Sequence, residues 1–132
     1  RKTRFYIAMK MSDRRAETME NAIVAALSAF PPQLVKTITC DRGTEFANWR
    51  RIEERLHCEV YFADPYCAWQ KGTNENLNGL LREFYPKGRN LSRVAPATLK
   101  RNLALLNARP RKVLYFHSAQ ELWDFELNSC CT

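Results

Sequence analysis

The 132-residue chain is long enough for one compact domain and too short for two ordinary ones. Its apolar share of 45% and charged share of 27% are those of a globular protein, and no apolar run approaches the roughly 18 residues of a membrane span. Twenty-one Lys and Arg against 14 Asp and Glu give a net charge of +7, which suits a polyanionic partner such as nucleic acid as well as a merely basic surface.

In chain order, the basic opening Arg1-Lys2-Thr3-Arg4 has no apolar stretch behind it and does not read as a signal peptide. Phe5 to Met11 alternates loosely and predicts a strand. Ser12-Asp13 offers capping groups to a helix carrying Ala16, Met19, Ile23, Ala26, Leu27 and Phe30 at helical spacing, which Pro31-Pro32 ends. Thr37-Ile38-Thr39-Cys40 predicts a short strand, stopped by the turn Asp41-Arg42-Gly43. A second helix follows with Phe46, Trp49, Ile52 and Leu56 on one face. Glu59 to Ala63 predicts another strand, broken at Asp64-Pro65-Tyr66.

A loop runs to about Gly72, and a third helix begins near Thr73 with Leu77, Leu80, Leu81 and Phe84 as its buried stripe. It ends around Pro86-Lys87-Gly88, ahead of a basic loop from Arg89 to Val94. Pro96 suits the first position of a fourth helix with Leu99, Leu103 and Leu106 inward. Asn107 to Lys112 is a basic connector. Ser118 and Glu121 form a capping box before Leu122, Trp123 and Phe125, predicting a short last helix. Strands alternating with helices indicate an α/β architecture.

The five cysteines (Cys40, Cys58, Cys67, Cys130 and Cys131) are odd in number and form no C-x-x-C pair. With only His57 and His117 beside them, a zinc site is not expected, and reduced thiols are the default. Cys40 and Cys58 lie in apolar strand-like runs and are expected in the core. The Cys130-Cys131 pair suggests no mechanism.

Two acids stand out by placement. Asp41 falls at the carboxyl end of a strand, where open α/β sheets bind ligands. Glu75 lies in the first turn of the third helix, on roughly the opposite side from the Leu77–Leu81 stripe, beside Asn78 and Arg82 and, if the helix starts early, Lys71. A lone first-turn glutamate is more often there to complement the helix dipole. Spacing changes that balance. Thirty-three residues, positions 42 to 74, separate Asp41 from Glu75. They lie in the contexts Thr39-Cys40-Asp41-Arg42-Gly43-Thr44-Glu45-Phe46 and Gln70-Lys71-Gly72-Thr73-Asn74-Glu75-Asn76-Leu77-Asn78, and Leu106-Asn107-Ala108-Arg109-Pro110-Arg111 follows later.

Taken jointly, these motifs resemble the catalytic core of DDE transposases and retroviral integrases, most nearly the insertion-sequence group with 33 residues between its last two acids. The resemblance implies an RNase-H-like fold and a single domain, a partial integrase-type core, over 1–132. It implies two divalent ions, Mg²⁺ or Mn²⁺, held by three carboxylates for in-line attack on a phosphodiester. Carried over by motif, Asp41 is the second acid and Glu75 the third. Lys71, Asn74, Asn78, Arg82, Arg109, Arg111 and Lys112 become candidate DNA contacts, with an ordinary solvated basic surface as the bland alternative. Gln70, Lys71 and Gly72 resemble the mobile loop ahead of the catalytic helix. Tyr66 and Trp69 would stack on a flipped base or, as loop aromatics do more often, pack on the domain. Glu45 is read as a helix-start acid and Asp64 as a turn residue, not as ligands.

The stretch from Arg1 to Met11 resembles the family's third strand. The first two strands, and the first aspartate, are then not among these residues, and Asp13 is no substitute by motif. The expected fold is thus an incomplete RNase-H-like core that is inactive by itself, with an open sheet edge inviting a second copy or a full-length transposase. The implied partners are transposon-end and target DNA, with no membrane, in the bacterial cytoplasm. The alternatives are a non-catalytic DNA-binding or dimerising remnant and a generic α/β domain with coincidental acids.

Overall fold

The computed structural model describes residues 2–130, apart from the side chains of Ala68 and Lys71. Cys131 of the terminal cysteine pair lies outside the described residues. Among the described residues the α-helices and β-strands follow the order α1 (Ala16–Leu27), β1 (Thr37–Cys40), α2 (Trp49–Leu56), β2 (Glu59–Phe62), α3 (Gly72–Leu81), α4 (Pro96–Ala108) and α5 (Ala119–Cys130). The described residues gather into two compact units, 9–71, and 2–8 together with 72–130.

The unit 9–71 is a βαβ arrangement with α1 beside it. β1 and β2 pair in parallel, with Thr37 opposite Glu59 and Cys40 opposite Phe62. The ladder is prolonged by Glu59 N–H to Lys36 O at 3.2 Å and Ala63 N–H to Cys40 O at 2.8 Å. Both strands are short runs rich in β-branched and aromatic residues, which suit a pleated surface. α2 crosses between them and buries Ile52 and Leu56 against Cys40, Cys58 and Val60, with Ile23, Val24 and Leu27 of α1 packed on that cluster. Burying Ile52 completely stabilises the unit by about 1.5–3 kcal/mol. Cys40 and Cys58 are core residues, as their sequence setting indicates, and Cys40, Cys58, Cys67 and Cys130 are all free thiols.

One buried acid in this unit escapes periodicity. Glu20 on α1 is only 5% exposed. Its carboxylate accepts from Asn48 Nδ2 at 3.0 Å and from Arg55 Nη1 at 3.0 Å, with Arg51 at 3.7 Å. These bonds tie α1 to both ends of α2, and a buried carboxylate persists only when so paired. α2 ends at His57 in the left-handed conformation, φ 51°.

The helical unit, 2–8 with 72–130, is centred on Leu77, Leu106, Leu114 and Ala119. α4 begins with Pro96 at its first position, as expected. α5 is capped reciprocally. Ser118 Oγ accepts the Glu121 N–H at 3.1 Å, and Glu121 Oε2 accepts the Ser118 N–H at 2.9 Å. At 12 residues it is longer than the short helix its capping box suggests.

The expected strand over Phe5 to Met11 does not form; the stretch joins no ladder among the described residues. The backbone of Tyr6 is satisfied differently. Its N–H donates to Asn107 Oδ1, and its carbonyl accepts from Asn107 Nδ2, both at 2.9 Å. Phe5 stacks on Trp123 with ring centroids 5.2 Å apart. The helix after Ser12-Asp13 also starts later than its capping residues suggest. Asp13 Oδ1 accepts the Arg15 N–H at 3.0 Å in a local turn, and α1 begins at Ala16.

Candidate active-site acids and nucleic-acid interface

Asp41 follows directly on β1, at its carboxyl end, and is exposed. Its Oδ1 accepts the Gly43 N–H at 3.2 Å, a turn that ends the strand and holds the carboxylate at the surface. Gly43 has φ −72° and ψ 150°, so left-handed freedom is not what the position uses. A Cβ here would meet only the carboxylate of Glu45, the far end of a flexible side chain that can swing aside. Glu45 lies in the first turn of the 3-10 segment Thr44–Phe46, as expected of a helix-start acid.

The loop after β2 is cross-braced by side-chain hydrogen bonds. Gln70 and Asp64 grip each other. The Asp64 N–H donates to Gln70 Oε1 at 2.8 Å, and Gln70 Nε2 donates to Asp64 Oδ2 at 3.2 Å. Asp64 is thus the turn residue expected of it. Tyr66 and Trp69 do not pack on the unit; they are 101% and 76% exposed. Tyr66 sits at φ 62°, a conformation that costs a non-glycine residue about 1 kcal/mol or more. Lys71 closes the 3-10 turn Ala68–Lys71, and its side chain lies outside what the structure describes.

In the helical unit, α3 begins at Gly72 and carries Glu75 in its first turn. Leu77 is buried, whereas Asn74, Glu75, Asn78 and Arg82 are exposed, so the polar face expected from the helical wheel is realised. Asn78 is also structural, because its Oδ1 accepts the Tyr6 hydroxyl at 2.6 Å. Taken singly, the carboxylates of Asp41 and of Glu75 are hard oxygen donors of the type Mg²⁺ prefers. No group of three or more His, Cys, Asp or Glu side chains placed to hold a metal occurs among the described residues.

The segment after α4 gathers the basic residues. Arg109 pairs with Glu83 at 3.0 Å and lies 5.9 Å from the Phe84 ring. Lys112 is exposed. Arg111 is half-buried; its Nη2 reaches Leu106 O only at 3.4 Å, and its buried Nε has no hydrogen-bond partner. Burial pushes this guanidinium below its usual pKa, and the neighbouring Arg109 and Arg4 add to the shift. The loop is closed by a Pro110–Ser118 bridge and by the Arg111 N–H to His117 O bond at 3.1 Å. Arg4 and Thr73 are the residues that sequence patterns miss. Arg4 has φ 57°, and its Nη1 donates to Thr73 Oγ1 at the start of α3. The only sequence hint is the run of basic residues at the start of the chain.

A parallel βαβ unit with an acid at a strand's carboxyl end, and a helix presenting an acid and amides to solvent, are the parts of an integrase-type core. Residues 1–68, just over half of the chain, match the integrase core domain family. The chain belongs to that family, and it is a DDE transposase core in type. It is 37% identical, over 94% of its own length, to a probable transposase for the insertion-like sequence element IS1161 of Streptococcus salivarius. It is 36% identical, over 92% of its length, to transposase InsI for insertion sequence element IS30A of Escherichia coli. It is 39% identical, over 90%, to the transposase for insertion sequence element IS4351 of Bacteroides fragilis. It spans 34%, 32% and 36% of those relatives, about a third of each. Family membership implies an RNase-H-like fold, and the chain is a mixed α/β structure with a two-stranded sheet. No helix among the described residues is long and apolar enough to cross a membrane.

Proposed function

We propose that this chain is part of the catalytic core of an insertion-sequence transposase, in which Asp41 and Glu75 are the second and third metal-binding acids for phosphodiester cleavage and strand transfer in DNA. The observation that carries the reading is their 33-residue spacing in full motif context, within a chain of the integrase core family. The exposure of both side chains agrees with it, as carboxylates that must meet a hydrated cation and a DNA strand. Bound Mg²⁺ or Mn²⁺ would activate the attacking oxygen and stabilise the leaving one. Lys71, Asn74, Asn78, Arg82, Arg109, Arg111 and Lys112 would hold the DNA backbone.

In this reading the motif's first aspartate is not among the 132 residues, because only Asp41 and Glu75 fall in the motif contexts. The proposed three-acid site needs a further aspartate, so Asp41 and Glu75 without it are expected not to support joining, with a second copy or a full-length transposase as the proposed partner. The whole forms one partial core, working in the bacterial cytoplasm at the nucleoid. The second reading, a non-catalytic DNA-binding or dimerising remnant, is favoured by the basic cluster of Arg4, Arg109, Arg111 and Lys112, which needs no carboxylate to hold DNA.

Calorimetric Mn²⁺ binding by the chain and by its Asp41→Asn and Glu75→Gln variants tests the assignment. Each substitution is expected to weaken binding about tenfold or more, in line with the loss of one of very few protein ligands. Unchanged Mn²⁺ affinity in both variants removes the two acids from any metal site. Robust Mg²⁺-dependent DNA joining by the purified chain would refute the predicted inactivity.

A further inference from the structure

The helical unit contains an open depression of about 490 Å³ bordered by Arg4, Thr73, Arg109, Arg111 and Lys112, with Leu77 at its base. Four cations around one hollow repel each other, and a counter-charge among them relieves that repulsion. Arg109 already has one, in Glu83. Arg4 is held at its rim in a left-handed conformation, with its guanidinium on the Thr73 hydroxyl. Arg111 brings a buried Nε with no partner, a donor that costs free energy until an acceptor reaches it. The amino end of α3, at Gly72 and Thr73, adds the positive pole of a ten-residue helix. The hollow has room for a tetrahedral oxyanion. The chain's net charge of +7 suits a polyanion over an isolated anion.

We propose that this hollow is a phosphate pocket that takes a single backbone phosphate of a DNA strand, with Arg4, Arg111 and Lys112 converging on the same group. This rests on, and sharpens, the nucleic-acid reading above. The basic residues of the motif then do not spread along the duplex as independent contacts. They fix the register of the strand at one point, which is how phosphate contacts position a protein without reading sequence.

Convergence has a measurable signature. Each neutralised phosphate contributes about 0.9 to the slope of log affinity against log salt. In the 132-residue chain, the variant Arg4→Gln/Arg111→Gln/Lys112→Gln is expected to lower the slope for a random-sequence duplex by about 0.9, whereas separate contacts would lower it by about 2.7. Should loss of amide dispersion show that this variant does not fold, Arg4→Gln/Lys112→Gln reads the same question, with about 0.9 or less against about 1.8. A loss of about 2.7 or none in the triple variant, or of about 1.8 in the double variant, overturns the pocket and leaves the DNA reading standing. Amide spectra titrated with inorganic phosphate are expected to move Thr73, Arg111 and Lys112 first, and the duplex to move the same set. Phosphate shifts scattered over the basic surface overturn the pocket. Phosphate shifts at these residues with no duplex binding at low salt make it a free-phosphate site and overturn both the DNA-strand assignment and the nucleic-acid reading beneath it.

Discussion

Asn107 and Tyr6 are 101 positions apart, and the Asn107 side-chain amide occupies both backbone groups of Tyr6 at 2.9 Å. The amide acts as a one-residue substitute for a neighbouring strand. It gives the start of the chain a place on the end of α4 without any ladder, and Asn107 is only 3% exposed while doing so. The asparagine of the Asn-Ala-Arg-Pro-Arg motif is thus a structural residue, and the two arginines after it inherit their positions from that anchor.

Asn107→Ala should cost about 1–3 kcal/mol, because it leaves the Tyr6 N–H and carbonyl short of partners in a half-buried site. Asn107→Asp should do no better, since it keeps the acceptor, loses the donor and buries a charge. Urea unfolding measures both. A midpoint within error of the parent chain for Asn107→Ala would mean that water replaces the amide at no cost.

Glu20 makes a pH-dependent contribution. The Arg55 hydrogen bond, helped by Asn48 and Arg51, holds its carboxyl below the ordinary value of 4.5, against an opposing push from burial. A depressed folded pKa means that the unfolded chain binds the proton more tightly. The contribution is therefore complete above the unfolded value and is lost as pH falls through the folded one. Glu20→Gln should be clearly less stable than the parent at pH 7, and the gap should narrow as pH drops below about 4. A gap independent of pH would show that size and hydrogen bonding, not charge, set the preference for glutamate.

Ser118→Ala removes the acceptor for the Glu121 N–H at the start of α5. The expected loss is about 1 kcal/mol, the usual cost of deleting a serine cap. Glu121→Ala should cost less on its own, because the Ser118 hydroxyl still caps. Thermal unfolding of the two single variants and the double variant gives their coupling, and strict additivity would mean that the two bonds do not support each other.

Trp69→Ala and Tyr66→Ala test what the exposed aromatics are for. Neither side chain is packed, so thermal stability should hardly change. If they stack on unpaired bases, single-stranded DNA affinity should fall by about 1–3 kcal/mol per lost platform. Unchanged affinity with unchanged stability would assign them no role on DNA.

Local chemistry carried most of the elements. The spacing of Ile52 and Leu56, the β-branched run at Thr37–Thr39, Pro96 at a helix start and the Ser118–Glu121 box each act within a turn or two of chain, so neighbouring residues suffice to announce them. The same holds for Asp41 at a strand end and Glu75 on the solvent face of α3. The failure at Phe5 to Met11 is of another kind. Alternation shows that a segment is able to be a strand, whereas a ladder needs a partner, and here a side chain from α4 took that place.

What periodicity and motif spacing determined, then, was a set of elements with their exposed acids and a family. Tertiary structure alone decided that Glu20 would be buried between three partners, that Asn107 would anchor Tyr6, and that Arg4 would reach Thr73 across 69 positions to join Arg111 around one hollow. The reason is that a bond between distant residues depends on where the backbone brings them, and chain pattern records only what neighbours can do for one another.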